Sequence, residues 1–485
     1  MPGLERAGLK GNLISPLVPG EIEMIHEGAL RLLGEAGLLA HDAGVLALCE
    51  RTGCPVDRAE RRVYLPGELV TQAIKSAPAQ VTLYTRRGEK AMVLGGGSFY
   101  ARTSSGAVRF LDLDTGKARE PTSKDAADAV RLADALPRID GVSTMAVQPA
   151  DVPVTAVDVH AFRLALAHTA KPLGYVCLNE PLIEPVLEMA ALVAGGEDAL
   201  QARPFVTALA ESTSPLRLVG SQLAVLQAFA SRGLPLTLHA HPVAGFTAPV
   251  TLAGELVVTH AEVLALVTIA QMVRPGAPVI YGMSSSVPDM RNGRNLSGAV
   301  EIGLLGAAVA GLAKACGLPC LVSTGTDAHA PGNQSVMERL MTLLPPALAG
   351  VDLVNLTTLE TKMVFSLEQL VIDDMLLQLV GRMLCGIEVE PERLALDLLI
   401  EMGPGGGLVE SAHTRRFLRE ELLVPGLISH EARDEWEAAG GPDVVDKARD
   451  KARQILEEHR PEPIPEAVSA GLDDIVERSG HQVRE

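Results

Sequence analysis

The stretch PVIYGMSSSVPDMRNGRNLSGAVEIGLLGAAVAGLAKACGLPCLVSTGTDAHAPGNQSVME, residues 278–338, decides how the chain is read. Two short apolar runs, around Val279–Tyr281 and Leu321–Val322, each open into a polar loop. A long helix of small residues joins them. Two parallel strands need such a crossover. The first loop runs from Ser284 to Asp289, and the second carries Asp327, His329, Asn333 and Gln334. In a (β/α)8 barrel the loops that follow the strands gather at one mouth, where the chemistry collects.

Working outward, the same alternation holds from about residue 140. GVSTMAV, PLGYVCL, PFVTALA, LPLTLHA and VDLVNLTT read as strands. Apolar helical segments such as VDVHAFRLALAHT and EPVLEMAALVAG stand between them. This predicts an α/β fold, a (β/α)8 TIM barrel over residues 141–430, rather than an open doubly wound sheet. Residues 1–140 read as helices followed by short antiparallel strands (VTLYTRR, MVLGG, SFYAR, AVRFLDL) packed on the barrel. Residues 431–485 read as charged helices and a tail. No strand–GxGxxG–helix or GxxxxGK[ST] pattern occurs, so the glycine triplets at 95–97 and 405–407 carry no nucleotide signal.

The chain has 485 residues, 47% of them hydrophobic and 21% charged, which suits a large globular protein. A net charge of −18 disfavours nucleic acid and anionic membrane as partners, since both demand a basic surface. Six scattered cysteines predict reduced thiols and a cytoplasmic setting rather than a disulfide framework. MPGLERAGLKGN has no apolar core of a secretion signal. The most apolar run, 302–313, is short, rich in Gly and Ala and bracketed by Glu301 and Lys314, so it reads as a buried helix.

Several residues carry possible chemistry. Glu211 ends a strand, as a barrel-mouth carboxylate would, although it could equally cap the next helix. His239 and His241, two apart on a strand, share one face. With Asp327 they would suit a metal-dependent hydrolase, but nothing in the sequence forces the three together, and no metal is expected. Asp327, His329, Asn333 and Gln334 are the densest polar cluster of the loops. His413 follows a Gly-rich segment that could fold over a mouth, and it reads equally as a histidine at a helix N-terminus. Cys316 and Cys320 lack a second pair and read as small buried residues. Asp289 and Arg291 read as a structural ion pair.

The ordered series EIEMIHEGALRLLGEAG, LDLDTGKAREPTSKD, TSPL at 213–216, AGFTAPVTLAGELVVTHAE, AQMVRPGAPVIYG, PDMRNG, GLPCLVSTGTDAH and SLEQLVIDDM resembles the trimethylamine methyltransferase (MttB-type) family of corrinoid-dependent methyltransferases. The resemblance implies methyl transfer to the Co(I) of a cobalamin-type corrinoid, carried by a partner protein that docks over the mouth, and makes a homo-oligomer plausible. Founding members carry pyrrolysine in the loop matching TDAHAPGNQ, whereas here Ala330 or Pro331 stands nearest that place. The non-pyrrolysine branch, to which the chain is similar, acts on quaternary amines such as glycine betaine. On that reading Asp327, His329 and Glu211 are the expected catalytic residues. Tyr281, Asn333, Gln334, His413, Phe246 and His241 are expected to bind substrate. A metal-dependent barrel hydrolase and a catalytically degenerate ligand-binding barrel are the competing expectations.

Overall fold

The computed structural model describes residues 13–482 apart from residue 357. The stretch 1–12, read above for a secretion signal, lies outside the described residues. Eight parallel strands form the central sheet. In chain order they are β1 (Tyr100–Thr103), β2 (Val142–Ser143), β3 (Leu173–Tyr175), β4 (Val206–Glu211), β5 (Leu236–Ala240), β6 (Val279–Met283), β7 (Cys320–Thr324) and β8 (Leu353–Leu356). Each pairs with its sequence neighbour, and β8 pairs with β1. A parallel bridge from Arg102 to Gly141 brings β1 beside β2 and closes the barrel.

The expectation for β1 is corrected. SFYAR was read as antiparallel, yet it runs parallel between β8 and β2 as the first stave. Its neighbours explain the error. Val81–Tyr84 and Lys90–Leu94 do form an antiparallel hairpin, and that hairpin plugs the floor of the barrel. Val81, Leu83, Met92 and Leu94 pack against Tyr100, Ile280, Leu321 and Leu353 from the staves. The Asp352 carboxylate accepts from Gly95 N (2.7 Å) and Cys320 N (2.8 Å), fixing plug to floor.

The helices that matter here are α1 (Pro19–Glu35), α2 (Leu252–Val273), α3 (Val300–Ala315), α4 (Asn333–Ala349) and α5 (Leu367–Cys385). By length and composition α2 could cross a membrane, but 78% of its apolar window is buried. It is apolar all round because it is covered all round, by β5 inside and by α1 and the helix Gly67–Ser76 outside. Small residues along α3 let α4 approach closely. A Cβ at Gly303 would lie 2.1 Å from Met341 O. The C-terminal helices Val444–Glu458 and Glu466–Gln482 pack on the barrel's outer helices.

Candidate active site

Alternation along the staves sorts side chains into lumen and outer layer. On β5, Leu236 and Leu238 face the helices, whereas Thr237 and His239 face the lumen. On β6 the lumen position beside His239 is Gly282, where a Cβ would lie 2.0 Å from the imidazole. A glycine inside a strand marks such a close approach. Gly174 on β3 does the same for Arg102, whose Nη1 would sit 3.0 Å from an added Cβ.

Arg102 is a buried cation of the lumen, with 6% of its surface exposed. Its Nε donates to Asn355 Oδ1 (2.7 Å) and its Nη1 to Thr207 Oγ1 (3.0 Å). Both partners are neutral, so among the described residues the charge has no carboxylate bonded to it. Burial lowers its pKa to about 10. Thr237 Oγ1 and His239 Nε2, also buried, have no hydrogen-bond partner. Orphaned polar atoms in a lumen are places for a ligand or water.

Nearer the mouth, Glu211 ends β4, and its Oε2 lies 3.2 Å from His241 Nε2. The loop after Glu211 is held by Glu262 of α2, which accepts from Ser212 Oγ (2.6 Å), Ser214 Oγ (2.7 Å) and Leu216 N (2.7 Å). Burial pushes the Glu211 carboxyl above its ordinary range, and Lys362 opposes that shift. Burial, reinforced by nearby cations, pushes His239 and His241 well below theirs, so both rings are neutral at physiological pH. The two rings lie 6.1 Å apart.

Lys362 completes the set. It follows β8, in a loop where Glu360, Thr361 and Lys362 have φ of 49°, 54° and 80°. Three consecutive non-glycine residues in the left-handed region cost about 1–3 kcal/mol each and persist only where neighbours impose them. Here Glu360 N donates to Ala328 O and Thr361 N to Thr326 O (3.2 Å each), while Thr361 Oγ1 donates to Asp327 Oδ1 (2.6 Å). The strained turn delivers the Lys362 ammonium to Ser284 Oγ and into the field of Glu211. Burial lowers its pKa to about 8, with Glu211 pulling the other way.

The family described as Trimethylamine methyltransferase (MTTB) matches residues 9–483. The chain belongs to this family. It is 33% identical to the trimethylamine methyltransferase MttB of Desulfitobacterium hafniense (strain DSM 10664 / DCB-2), over 95% of this chain and 92% of that one. It is 30% identical to the glycine betaine methyltransferase of D. hafniense (strain Y51), over 97% and 98%. The trimethylamine methyltransferase MttB2 of Methanosarcina mazei is 32% identical, over 98% and 97%. The family is one of methyltransferases, and the eight-stranded barrel is its scaffold in this chain.

The structure brings some of the expected site residues together and separates others. Glu211 and His241 meet at the mouth. Asp327 is engaged elsewhere: its carboxylate accepts from Ser297 N (2.8 Å), Gly298 N (2.9 Å) and Thr361 Oγ1, so it ties loops together. It is therefore not placed with His239 and His241 as a metal set. His329 stands on the rim, its side chain 75% exposed, paired with Glu360 at 2.9 Å. Asn333 and Gln334 open α4 in solvent, and Gln334 bonds Glu338 (2.8 Å). Phe246 is exposed on the turn after β5. Asp289 and Arg291 do form an ion pair, at 2.9 Å.

Two expectations are corrected. Tyr281 does not face the lumen. It is fully buried on the outer side of β6, its Oη 2.9 Å from His260 Nδ1 of α2. The lumen positions of β6 are Ile280 and Gly282, so Tyr281 between them points outward. His413 does not close over the mouth. It lies on the helix Ala412–Glu421, whose end bonds Arg382 near the C-terminal end of α5, and its ring packs on Phe417 at 4.7 Å. Lys362 and Arg102 were missed. Arg102 sits in a run that reads as a half-exposed strand. Lys362 sits in LETKM, where nothing marks a left-handed turn.

Proposed function

We propose that this chain moves a methyl group from a quaternary amine bearing a carboxylate, of the glycine betaine kind, to the Co(I) of a corrinoid held by a separate protein. The observation that carries this reading is Arg102, a buried guanidinium bonded only to neutral groups in the lumen. A buried charge without a counter-charge is costly. A substrate carboxylate matches both its sign and its forked geometry. Thr237 Oγ1, buried and without a partner, offers a further donor. Glu211, nearer the mouth, then faces the ammonium, and Lys362 favours its ionised form against the burial that opposes it.

The chemistry asked of these side chains is modest. A quaternary nitrogen already carries positive charge. When its methyl leaves, the C–N electron pair stays on nitrogen and a neutral tertiary amine departs, so no proton is needed. His239 and His241, neutral through burial, supply no acid, and this reaction asks for none. The chain's residues bind, orient and exclude water. The corrinoid, when its carrier is docked, supplies the nucleophile that receives the methyl. Exposed apolar side chains on the mouth loops (Val108, Val154, Phe246, Val250, Met290 and Met363) suit a docked protein cap. Trimethylamine offers neither a carboxylate for Arg102 nor a ready leaving group, and residues 327–334 hold no electrophile to activate it.

The reading includes a cytoplasmic setting, in keeping with six free cysteines, and a homo-oligomer. The segment 387–424 supports the latter, since Ile387, Val389, Ile400 and Val409 are strongly exposed there. The test is methyl transfer with reduced cognate corrinoid protein and four donors: glycine betaine, choline, tetramethylammonium and trimethylamine. Methylated corrinoid is expected from glycine betaine and not from the donors that lack a carboxylate. Equal transfer from tetramethylammonium or trimethylamine, or none from any carboxylate-bearing donor, would overturn the reading.

A further inference from the structure

Behind β6, on the side away from the lumen, three side chains from distant parts of the chain converge. His26 comes from α1, His260 from α2, and Cys316 caps the C-terminal end of α3. His26 Nδ1 lies 2.9 Å from His260 Nε2. The Cys316 thiol joins them, so that the three ligand atoms all lie within 4.8 Å of one another. We infer that this His–His–Cys cluster is a zinc site that clamps the N-terminal helix to the barrel.

Four features support it. The donor set, two imidazoles and a thiol, is the soft-to-borderline kind that selects zinc over calcium or magnesium. His260 carries the second contact that metal-bound histidines use. Its other nitrogen, Nδ1, lies 2.9 Å from Tyr281 Oη, which fixes the ring and directs Nε2 at the cluster. Burial disfavours the charged form of both imidazoles, and the neutral form is the one that offers a lone pair. The exposed Glu27 carboxylate adds negative charge next to His26. Burial alone pushes the Cys316 thiol up to about 12. A bound divalent cation is what would ionise it.

The sequence pairs Cys316 with Cys320, but the fold separates their roles. Cys320 opens β7 and is buried in the core, while Cys316 turns to the histidines. A hydrogen-bonded relay from Tyr281 through His260 to His26 needs no thiol beside it. The clamp also has a structural place: α1 packs along α2 and touches α3, and the cluster sits where the three meet. The inference is independent of methyl transfer, since the site lies outside the lumen.

The test uses the full-length chain made without a polyhistidine tag. Metal analysis should find one zinc per chain. After chelation, Co(II) should bring up thiolate-to-cobalt charge-transfer absorption, absent in Cys316→Ser. Zinc should raise the Tm of the stripped wild type but not of Cys316→Ser, whose zinc-free Tm should match the stripped wild type. Tyr281→Phe, which removes only the outer contact, should weaken zinc binding about tenfold. Absence of the charge-transfer band would leave a hydrogen-bond relay only and overturn the proposal. So would zinc whose amount Cys316→Ser and His26→Gln leave unchanged.

Discussion

The two ends of the barrel lumen are built on opposite terms. At the floor, apolar side chains of the plug hairpin meet apolar side chains of the staves, and the Asp352 carboxylate accepts two backbone N–H groups. Toward the mouth, a guanidinium has no carboxylate partner among the described residues, buried polar atoms of Thr237 and His239 lack partners, and a lysine is delivered by three left-handed residues. Proteins satisfy buried polar groups and avoid backbone strain unless function requires otherwise. The contrast therefore locates the working end without reference to any relative.

The largest expected effect tests that contrast directly. Arg102→Met removes the unpaired cation and keeps a chain of similar reach. On a carboxylate-bearing donor, kcat/KM should fall by about 1,000-fold, roughly 4 kcal/mol, as for a lost buried charge contact. Stability should not fall, because an apolar replacement of an unpaired buried charge is neutral or favourable. Leu83→Ala at the floor should do the reverse. A cavity there costs about 3 kcal/mol in denaturant unfolding, while kcat/KM of the folded protein is unchanged. A destabilised Arg102→Met with normal kcat/KM would mean that the guanidinium is structural and the contrast misread.

The same contrast explains what the sequence shows and hides. Repeated apolar runs with polar loops reveal a barrel because each stave is a local signal. β1 is hidden because its short neighbours form a true hairpin, and only closure between β8 and β2 identifies it as a stave. Glu211 and His241 are legible because they end strands, where barrel chemistry gathers. Tyr281 falls on the outer face because its neighbours Ile280 and Gly282 take the lumen positions of β6. Two glycines inside staves, Gly174 and Gly282, were the available signal for the bulky Arg102 and His239 opposite them. Lys362 had none: its place depends on backbone angles imposed by residues 326–328, far away in sequence.

A smaller effect sharpens the account of Lys362. Its pKa is lowered from 10.5 to about 8, so the fold disfavours its charged form. Between pH 8 and 10.5 the unfolded chain binds the proton and the folded chain does not, so stability rises with pH across that window. Below pH 8 both states are protonated and the full cost is present. Lys362→Met should therefore stabilise the protein at pH 7 by about 2 kcal/mol, allowing for its partial exposure, and the gain should vanish above pH 10.5. In catalysis, deprotonation of Lys362 releases Glu211 from its cation. The kcat/KM of wild type should fall as pH rises through about 8, and Lys362→Met should lack that limb. A wild-type profile flat through pH 9 would remove Lys362 from the site.

The smallest effect asks whether the strain at the mouth is there for the ammonium it delivers. Glu360 and Ala395 have nearly the same left-handed φ, 49° and 50°, but Glu360 lies two residues before Lys362 and Ala395 lies in the 387–424 segment. Glycine relieves that geometry in either place, so Glu360→Gly and Ala395→Gly should each gain about 1 kcal/mol of stability. Glu360→Gly also loses the exposed His329 pair, which at 75% side-chain exposure contributes little. Only Glu360→Gly loosens the turn that aims Lys362. Its kcat/KM should drop severalfold while that of Ala395→Gly stays at the wild-type value. Equal activities would show that Asp327 and the 326–328 backbone hold the ammonium in place whatever residue 360 is, and that the strain is incidental to the site.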